Sequence, residues 1–123
     1  MKKLLFIDDN WDVLNIFKEY FLSEDNYSVY IAEDGNLGFS LAKKYIPDII
    51  VLDINMPKVS GLEVMKFLKD SEITKNIPVV VLTANNQNSP KVKFISSFSE
   101  KVLFKPLTFF SLKEELDSII NKK

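Results

Sequence analysis

The sequence predicts an α/β protein with a doubly wound, five-stranded parallel sheet of order 2-1-3-4-5 and five helices. Five short apolar runs recur along the chain at intervals long enough to hold a helix. Their continuous rather than alternating apolarity is typical of strands that are buried on both faces. The segments between them carry apolar residues at helical spacing. Such alternation, with right-handed crossovers, produces an open sheet with helices on both faces.

The elements follow in order along the chain. The predicted strands cover residues 3–7, 27–31, 48–52, 77–82 and 101–104. The residues that give the helical spacing are Val13, Ile16, Phe17 and Tyr20 in the first helix, Leu37, Leu41 and Ala42 in the second, Leu62, Met65 and Leu68 in the third, Val92, Ile95 and Phe98 in the fourth, and Leu112, Leu116 and Ile119 in the fifth. Ser89 before Pro90 indicates a helix start, because serine caps helices and proline fits the first helical position.

Length and composition exclude several classes of protein. A chain of 123 residues is expected to form one domain over residues 1–123. No apolar run is long enough to cross a bilayer and no signal peptide is evident, which indicates a cytoplasmic protein without membrane insertion. The absence of Cys and His excludes thiolate nucleophiles, serine–histidine triads and imidazole metal sites. All 16 basic residues are lysines, the net charge is −1, and no basic stripe is present, so direct nucleic-acid binding is not expected.

Polar residues follow four of the five predicted strands, where a parallel sheet binds its ligands. They are Asp8 and Asp9 after the first strand, Asp53 after the third, Thr83 after the fourth and Lys105 after the fifth. Taken singly, each has an ordinary interpretation as a turn residue, a helix cap or a solvated charge. Three carboxylates at one edge repel each other unless a cation offsets them, and hard oxygen ligands favour Mg²⁺ or a similar ion.

These residues stand in motifs that resemble the receiver domain of bacterial two-component response regulators over the whole chain. The motifs are the acidic pair Asp8-Asp9, the run DINMP at 53–57 followed by Gly61, Thr83-Ala84, and Lys105-Pro106. The resemblance implies a flavodoxin-like receiver fold and a cis Lys105–Pro106 bond. Asp53 is then the phosphoryl acceptor, Thr83 the switch hydroxyl and Lys105 the lysine that pairs with the phosphoryl group. Asp8, Asp9, Asp53 and the backbone carbonyl of Asn55 hold Mg²⁺.

The resemblance also implies partners. The donor is a phospho-histidine on a histidine kinase or phosphotransfer protein, since this chain has no His. Within these 123 residues there is no room for an attached effector, so a downstream protein partner, or a second copy in a homodimer, is expected to bind around the fourth helix, the fifth strand and the fifth helix. Phe110 is expected on such a surface, whereas Phe109 is expected in the core.

One position departs from the family pattern. Where receiver domains carry a rotating aromatic residue three positions before the lysine, this chain has Val102, and Phe104 directly precedes Lys105. A valine cannot make the swing of an aromatic ring. We therefore expect the output to depend on the backbone after Thr83 and on the helix over residues 89–98. The side chains of Asn55 and Asn85 are expected near the water that hydrolyses the acyl phosphate.

Three alternatives remain at the level of the sequence. The first is a binding module of the same fold that works without phosphorylation, although the intact acidic pair, Thr83 and Lys105 argue against it. The second is a flavodoxin-like redox protein, which would have a hydroxyl-rich phosphate loop where Asp8-Asp9 stands. The third is a metal-dependent phosphatase, which would have a second acid two residues after Asp53, where Asn55 stands.

Overall fold

Five parallel strands form a single sheet in the order β2-β1-β3-β4-β5, as predicted. The computed structural model describes residues 1–23, 26–54, 61–84 and 89–121. The strands are β1 (Lys2–Ile7), β2 (Tyr27–Ala32), β3 (Ile49–Asp53), β4 (Val79–Thr83) and β5 (Lys101–Phe104). Asp53 and Thr83 are therefore the last residues of their strands rather than the first residues beyond them.

The described residues contain five helices, each close to its predicted place; four connect successive strands and the fifth follows β5. They are α1 (Trp11–Leu22), α2 (Gly35–Tyr45), α3 (Gly61–Asp70), α4 (Pro90–Ser96) and α5 (Phe109–Asn121). The side chain of Asn10 caps α1 by accepting from the backbone N–H of Val13 at 3.1 Å. Ser89 occupies the cap position of α4 before Pro90, but its side chain makes no capping hydrogen bond.

The strand alternation divides the core into two apolar layers, one on each face of the sheet. The layer on the α1–α5 face contains Leu4, Phe6, Phe17, Val51, Val80 and Leu116. The layer on the face of α2, α3 and α4 contains Leu5, Ile7, Leu52, Val64, Val81 and Ile95. Side chains alternate between the two faces of the sheet along a strand. The last residue of each strand therefore lies on the same face as the residue two positions earlier.

The helical faces differ in part from the predicted ones. In α1 the buried residues are Leu14, Phe17 and Phe21, whereas Ile16 is 56 % exposed. Leu37 of α2 is also exposed. Phe98 lies beyond the end of α4 and is exposed as well. The predicted residues are spaced as in a helix, but α1 carries apolar residues on more than one side. The spacing alone therefore does not determine which side of α1 is buried.

The segment after β5 agrees with the expectations placed on it. The Lys105–Pro106 bond is cis. Phe109 is partly buried, and its ring contacts that of Phe17 edge-on at 5.7 Å between centroids. Phe110 points outward and is 63 % exposed. Val102 is partly buried against the layer on the α4 side of the sheet.

Ile46 ends α2 in a strained conformation. Its φ of 47° and ψ of 66° are left-handed, a region that β-branched residues rarely adopt. Its side chain is 56 % exposed, so little burial offsets the strain. We expect Ile46→Gly to raise the free energy of unfolding in urea by about 1 kcal/mol. Ile46→Val, which keeps the branched Cβ, is the control and should give no gain; an equal gain from both variants would contradict this explanation.

Candidate functional site

Three carboxylates meet at the carboxyl edge of the sheet. Asp8, directly after β1, is 3 % exposed and Asp53, at the end of β3, is 4 % exposed. Asp9 lies beside them and is exposed to solvent. One carboxylate oxygen from each of the three residues lies within 4.8 Å of those of the other two. Carboxylates so close together at the protein surface form a candidate site for a cation.

The surroundings of Asp8 raise the pKa of its carboxyl group. Its backbone N–H donates to the carbonyl of Ala32 at 3.1 Å, which continues the sheet ladder by one residue. Burial raises the pKa of Asp8 from its ordinary value of 3.8 to about 6. A hydrogen bond from the backbone N–H of Asn10, 2.9 Å from Oδ1, acts in the opposite direction, while the charge of Asp53 raises this pKa further. The repulsion between these two acids is what a bound cation would relieve.

Lys105 directly follows the edge strand β5, and its side chain extends toward the acids. Its Nζ lies 3.0 Å from Oδ2 of Asp53. The lysine backbone is fixed as well, because its N–H donates to the carbonyl of Thr83 at 2.8 Å. The backbone of Lys105 is therefore anchored to β4, and its Nζ is directed at a buried carboxylate. A charged hydrogen bond of this length is among the stronger ones in proteins.

Thr83 ends β4, the strand next to β3, but is not among the residues that line the acidic cleft. It is fully buried. By strand alternation it continues the row of Val79 and Val81, which faces α2, α3 and α4, whereas Asp53 continues the row of Val51 on the α1–α5 face. Among the described residues that line the acidic cleft, β4 and its continuation contribute Leu82 and Ala84 instead. The structure thus brings together Asp8, Asp9, Asp53 and Lys105, and places Thr83 at the boundary with the α4 side.

An apolar wall adjoins the acids, and sequence reasoning had not identified it. The cleft holds about 580 Å³ and is lined beside the acids by Phe6, Val13, Leu82, Leu107, Phe109 and Leu112. Phe109 was expected to be only a core residue, yet it lines this cleft too. The position of Leu107, two residues after Lys105, was the one available signal, because a residue so close to the lysine in the chain must lie near the same edge.

Two residues singled out in the sequence fall outside the described part of the chain. They are Asn55, expected to offer a backbone carbonyl to the metal, and Asn85, expected near the attacking water. The residues that are described already fit Mg²⁺: the donor atoms are hard carboxylate oxygens, and the sequence offers no Cys or His to favour a softer metal.

The strand order 2-1-3-4-5 is that of flavodoxin-like, doubly wound α/β proteins. These proteins bind their ligands at the carboxyl ends of the strands, where the charged cleft lies. The family model for the response regulator receiver domain matches residues 4–117, and the chain belongs to this family. None of the helices in the described ranges is long and apolar enough to cross a membrane.

Individual relatives agree with this assignment. The chain is 31 % identical over 107 residues to the polar-differentiation response regulator DivK of Brucella ovis, covering 87 % of this chain and 86 % of that protein. The structure of the chemotaxis protein CheY4 of Vibrio cholerae superposes with a TM-score of 0.84 at 28 % identity, over 97 % of this chain and 98 % of that one. The receiver domain of the Francisella response regulator 1452 gives a TM-score of 0.86 at 26 % identity, over 99 % and 98 %. The chain therefore has the receiver fold of two-component signalling.

The raised pKa of Asp8 predicts how cation binding depends on pH. Below about pH 6 the metal-free protein holds a proton on Asp8 that a cation must displace. We therefore expect Mg²⁺ affinity to fall about tenfold for each pH unit below that value. We expect the fluorescence of Trp11, the single tryptophan, to report binding because this residue lies two positions after Asp9 in the chain. Asp8→Asn should bind Mg²⁺ weakly and lose this pH dependence; an unchanged pH profile in that variant would contradict the assignment.

The same shift has the opposite effect on the metal-free fold. The folded chain binds the Asp8 proton more tightly than the unfolded chain, whose pKa is near 3.8. The resulting stabilisation is complete below 3.8 and is lost as pH rises through about 6. Raising the pH should therefore lower the stability of the metal-free protein while it strengthens Mg²⁺ binding.

Proposed function

We propose that this chain is a phosphorylation-controlled signalling module. Asp53 accepts a phosphoryl group from the phospho-histidine of a histidine kinase or phosphotransfer protein, with Mg²⁺ held by Asp8, Asp9, Asp53 and the backbone carbonyl of Asn55. The observation that carries this proposal is the buried Asp53 carboxylate, which has two acids beside it and the Nζ of Lys105 at 3.0 Å.

The transfer requires a nucleophile and compensation of charge. A carboxylate oxygen of Asp53 forms a bond to phosphorus while the bond from phosphorus to the imidazole nitrogen of the donor breaks, and that nitrogen keeps the electron pair. The barrier consists mostly of alignment and of the charge on the equatorial phosphoryl oxygens. Bound Mg²⁺ supplies positive charge that lets an anionic donor approach the acids. Lys105 supplies a second positive charge, already positioned at Asp53 before the donor arrives.

The wall beside the acids supports a protein donor. Val13, Leu107 and Phe109 present apolar side chains in the same cleft as Asp53. A histidine carried on a helix brings apolar neighbours with it, and burial of their surface against this wall favours association. A small donor such as acetyl phosphate can reach Asp53 without using this wall.

The output is proposed to pass through Thr83. Phosphorylation adds negative charge and acceptor oxygens at the end of β3. The hydroxyl of Thr83, one strand away, can turn toward these oxygens and draw the following backbone with it. Since Thr83 continues the row of side chains on the α4 side, its movement changes the environment of α4. Val102, also on that side, has no ring to swing, so the backbone after Thr83 carries the change.

The surface formed by α4, β5 and α5 is the proposed binding site for a downstream protein. It carries the exposed Phe110 and an ion pair between Lys101 and Glu115 at 2.6 Å. A homodimer through this surface is the alternative use of it. We further propose that residues 1–123 form one receiver domain that works in the cytoplasm, without inserting into membranes or binding nucleic acid directly, and that assists its own phosphorylation and dephosphorylation rather than turning over a separate substrate.

Removal of the Thr83 hydroxyl should uncouple phosphorylation from its effect on α4. Thr83→Ala is expected to accept a phosphoryl group but to lose most of the amide chemical-shift changes in α4 that a phosphoryl analogue produces in the original protein. Thr83→Ser keeps the hydroxyl and should keep those changes. If Thr83→Ala responds as fully as Thr83→Ser, the hydroxyl is not the link.

A direct incubation tests the proposal against its rivals. With acetyl phosphate and Mg²⁺, intact-protein mass spectrometry should show the gain of one phosphoryl group, and a chelator should prevent it. A binding module that works without phosphorylation would show no gain. A redox protein of this fold would show flavin absorbance, and a phosphatase would turn over other phosphate esters. Any of these results without phosphoryl incorporation would overturn the proposed function.

A further inference from the structure

The groove between α3 and α4 is a second recess, separate from the acidic cleft. It holds about 460 Å³, and its apolar lining comes from Leu62 and Met65 on α3 and from Phe94 and Phe98 on the α4 side. The two phenyl rings meet edge-on with their centroids 5.4 Å apart. Phe94 is 60 % exposed and Phe98 47 % exposed, which is unusual for neighbouring large apolar side chains on a protein surface. We call this recess and its two rings the α3–α4 groove.

The charges at the groove do not favour a partner of one sign. Lys66 and Asp70 line it from α3 and are exposed, one helical turn apart. Together with Glu63 and Lys69, the described residues that line the groove include two acids and two lysines, so the charges of this described lining cancel. An acidic or a basic segment would meet as many repelling as attracting charges. A partner surface that carries the same alternating charges in antiparallel order would place an opposite charge against each charge of the groove.

A second copy of this chain presents such a surface. If the α3 helices of two copies lie antiparallel, with a two-fold axis between them level with the midpoint of Lys66 and Asp70, then Lys66 of one copy faces Asp70 of the other. The pairing occurs twice because the contact is isologous. Each copy also offers an exposed ring at Phe94 beside a recess of about 460 Å³, which is large enough to receive a phenyl ring of the other copy. We infer that the α3–α4 groove mediates self-association, and that the flank formed by β5 and α5 stays open to a downstream partner.

Sedimentation velocity on the unphosphorylated protein tests this inference. A contact of this limited size is expected to be weak, with a Kd between about 10 μM and 1 mM. Phe94→Asp should raise the Kd at least about tenfold, because it replaces the ring that enters the apolar recess of the other copy with a charge. Phe110→Asp makes the same change at an equally exposed position on α5 and should alter the Kd less than about twofold, whereas it would weaken the alternative homodimer through the α4, β5 and α5 surface. Thermal unfolding of both variants checks that each is folded.

A charge exchange provides the second arm of the experiment. Lys66→Asp should weaken the dimer about fivefold, because two pairs of acids then face each other. Combining it with Asp70→Lys should restore the Kd to within about twofold of the original, since the pairs are re-formed with their signs exchanged. A protein that stays monomeric at about 1 mM, a dimer that survives Phe94→Asp, or a double variant that remains weak would overturn the inference. The measurement uses unphosphorylated protein, so failure of the proposed function does not affect it.

Discussion

Asp53→Asn is expected to abolish formation of the acyl phosphate. Asparagine has the shape of aspartate but lacks the anionic oxygen that attacks phosphorus, so the rate of incorporation from acetyl phosphate should fall at least about 10³-fold. The variant also removes one of the three carboxylates that lie within 4.8 Å of each other, and Mg²⁺ affinity should fall with it. Phosphoryl incorporation is measured by intact-protein mass spectrometry over a time course.

A matched control separates the role of Asp53 from a general effect of charge. Asp12→Asn removes the same charge from an exposed position in the first turn of α1 and should be phosphorylated at the original rate. Reduction of the phosphorylated original protein with borohydride, followed by peptide mapping, should mark Asp53 and no other residue. A labelled phosphoryl group retained on Asp53→Asn would show that the acceptor lies elsewhere.

Gly61→Ala should be the most destabilising conservative substitution near the site. An added Cβ would lie 2.3 Å from the Cα of Ile54 and 2.5 Å from its Cβ. Ile54 cannot retreat easily, because its backbone N–H donates to the carbonyl of Leu82 at 3.2 Å. The start of α3 would therefore be pushed away from the end of β3. We expect a loss of about 3 kcal/mol in the free energy of unfolding, measured in urea.

Gly38→Ala is the control for this substitution. Its added Cβ would also approach a neighbour closely, at 2.5 Å from Cδ1 and 2.7 Å from Cγ1 of Ile7, but these are side-chain rather than backbone atoms. The Ile7 side chain can shift at some cost, and alanine is the better helix former in both cases, so we expect a smaller loss of about 2 kcal/mol. Neither glycine has a positive φ, so backbone strain does not enter. Equal stability of the two variants would contradict the close contact at Gly61.

The strands could be predicted because burial on both faces makes their apolar runs continuous. The convergence of the acids and the lysine could be predicted too, since parallel strands end at the same edge. Strand alternation, which is also present in the sequence, explains which acid is buried: Asp8 continues the row of Phe6 and Asp53 that of Val51, both on the α1–α5 face.

The helical faces and the groove were less predictable. Leu14 and Ile16 are both apolar and two residues apart, and only packing against the sheet determines that Leu14 is buried and Ile16 exposed. The left-handed conformation of Ile46 contradicts the preference of its residue type, because the turn into β3 dictates it. The α3–α4 groove depends on how two helices lie beside each other, which residue spacing along the chain does not specify.

The central claim is that a phosphoryl group on Asp53 changes the α4 side of the molecule. Backbone amide NMR with Mg²⁺ and beryllofluoride, a phosphoryl analogue, tests it most directly. We predict shifts at the acidic cleft that continue through Thr83 into α4 and Val102, and no such shifts in Asp53→Asn. Shifts confined to residues that line the acidic cleft would contradict the claim, because the cleft would then bind the analogue without transmitting its presence to the surface.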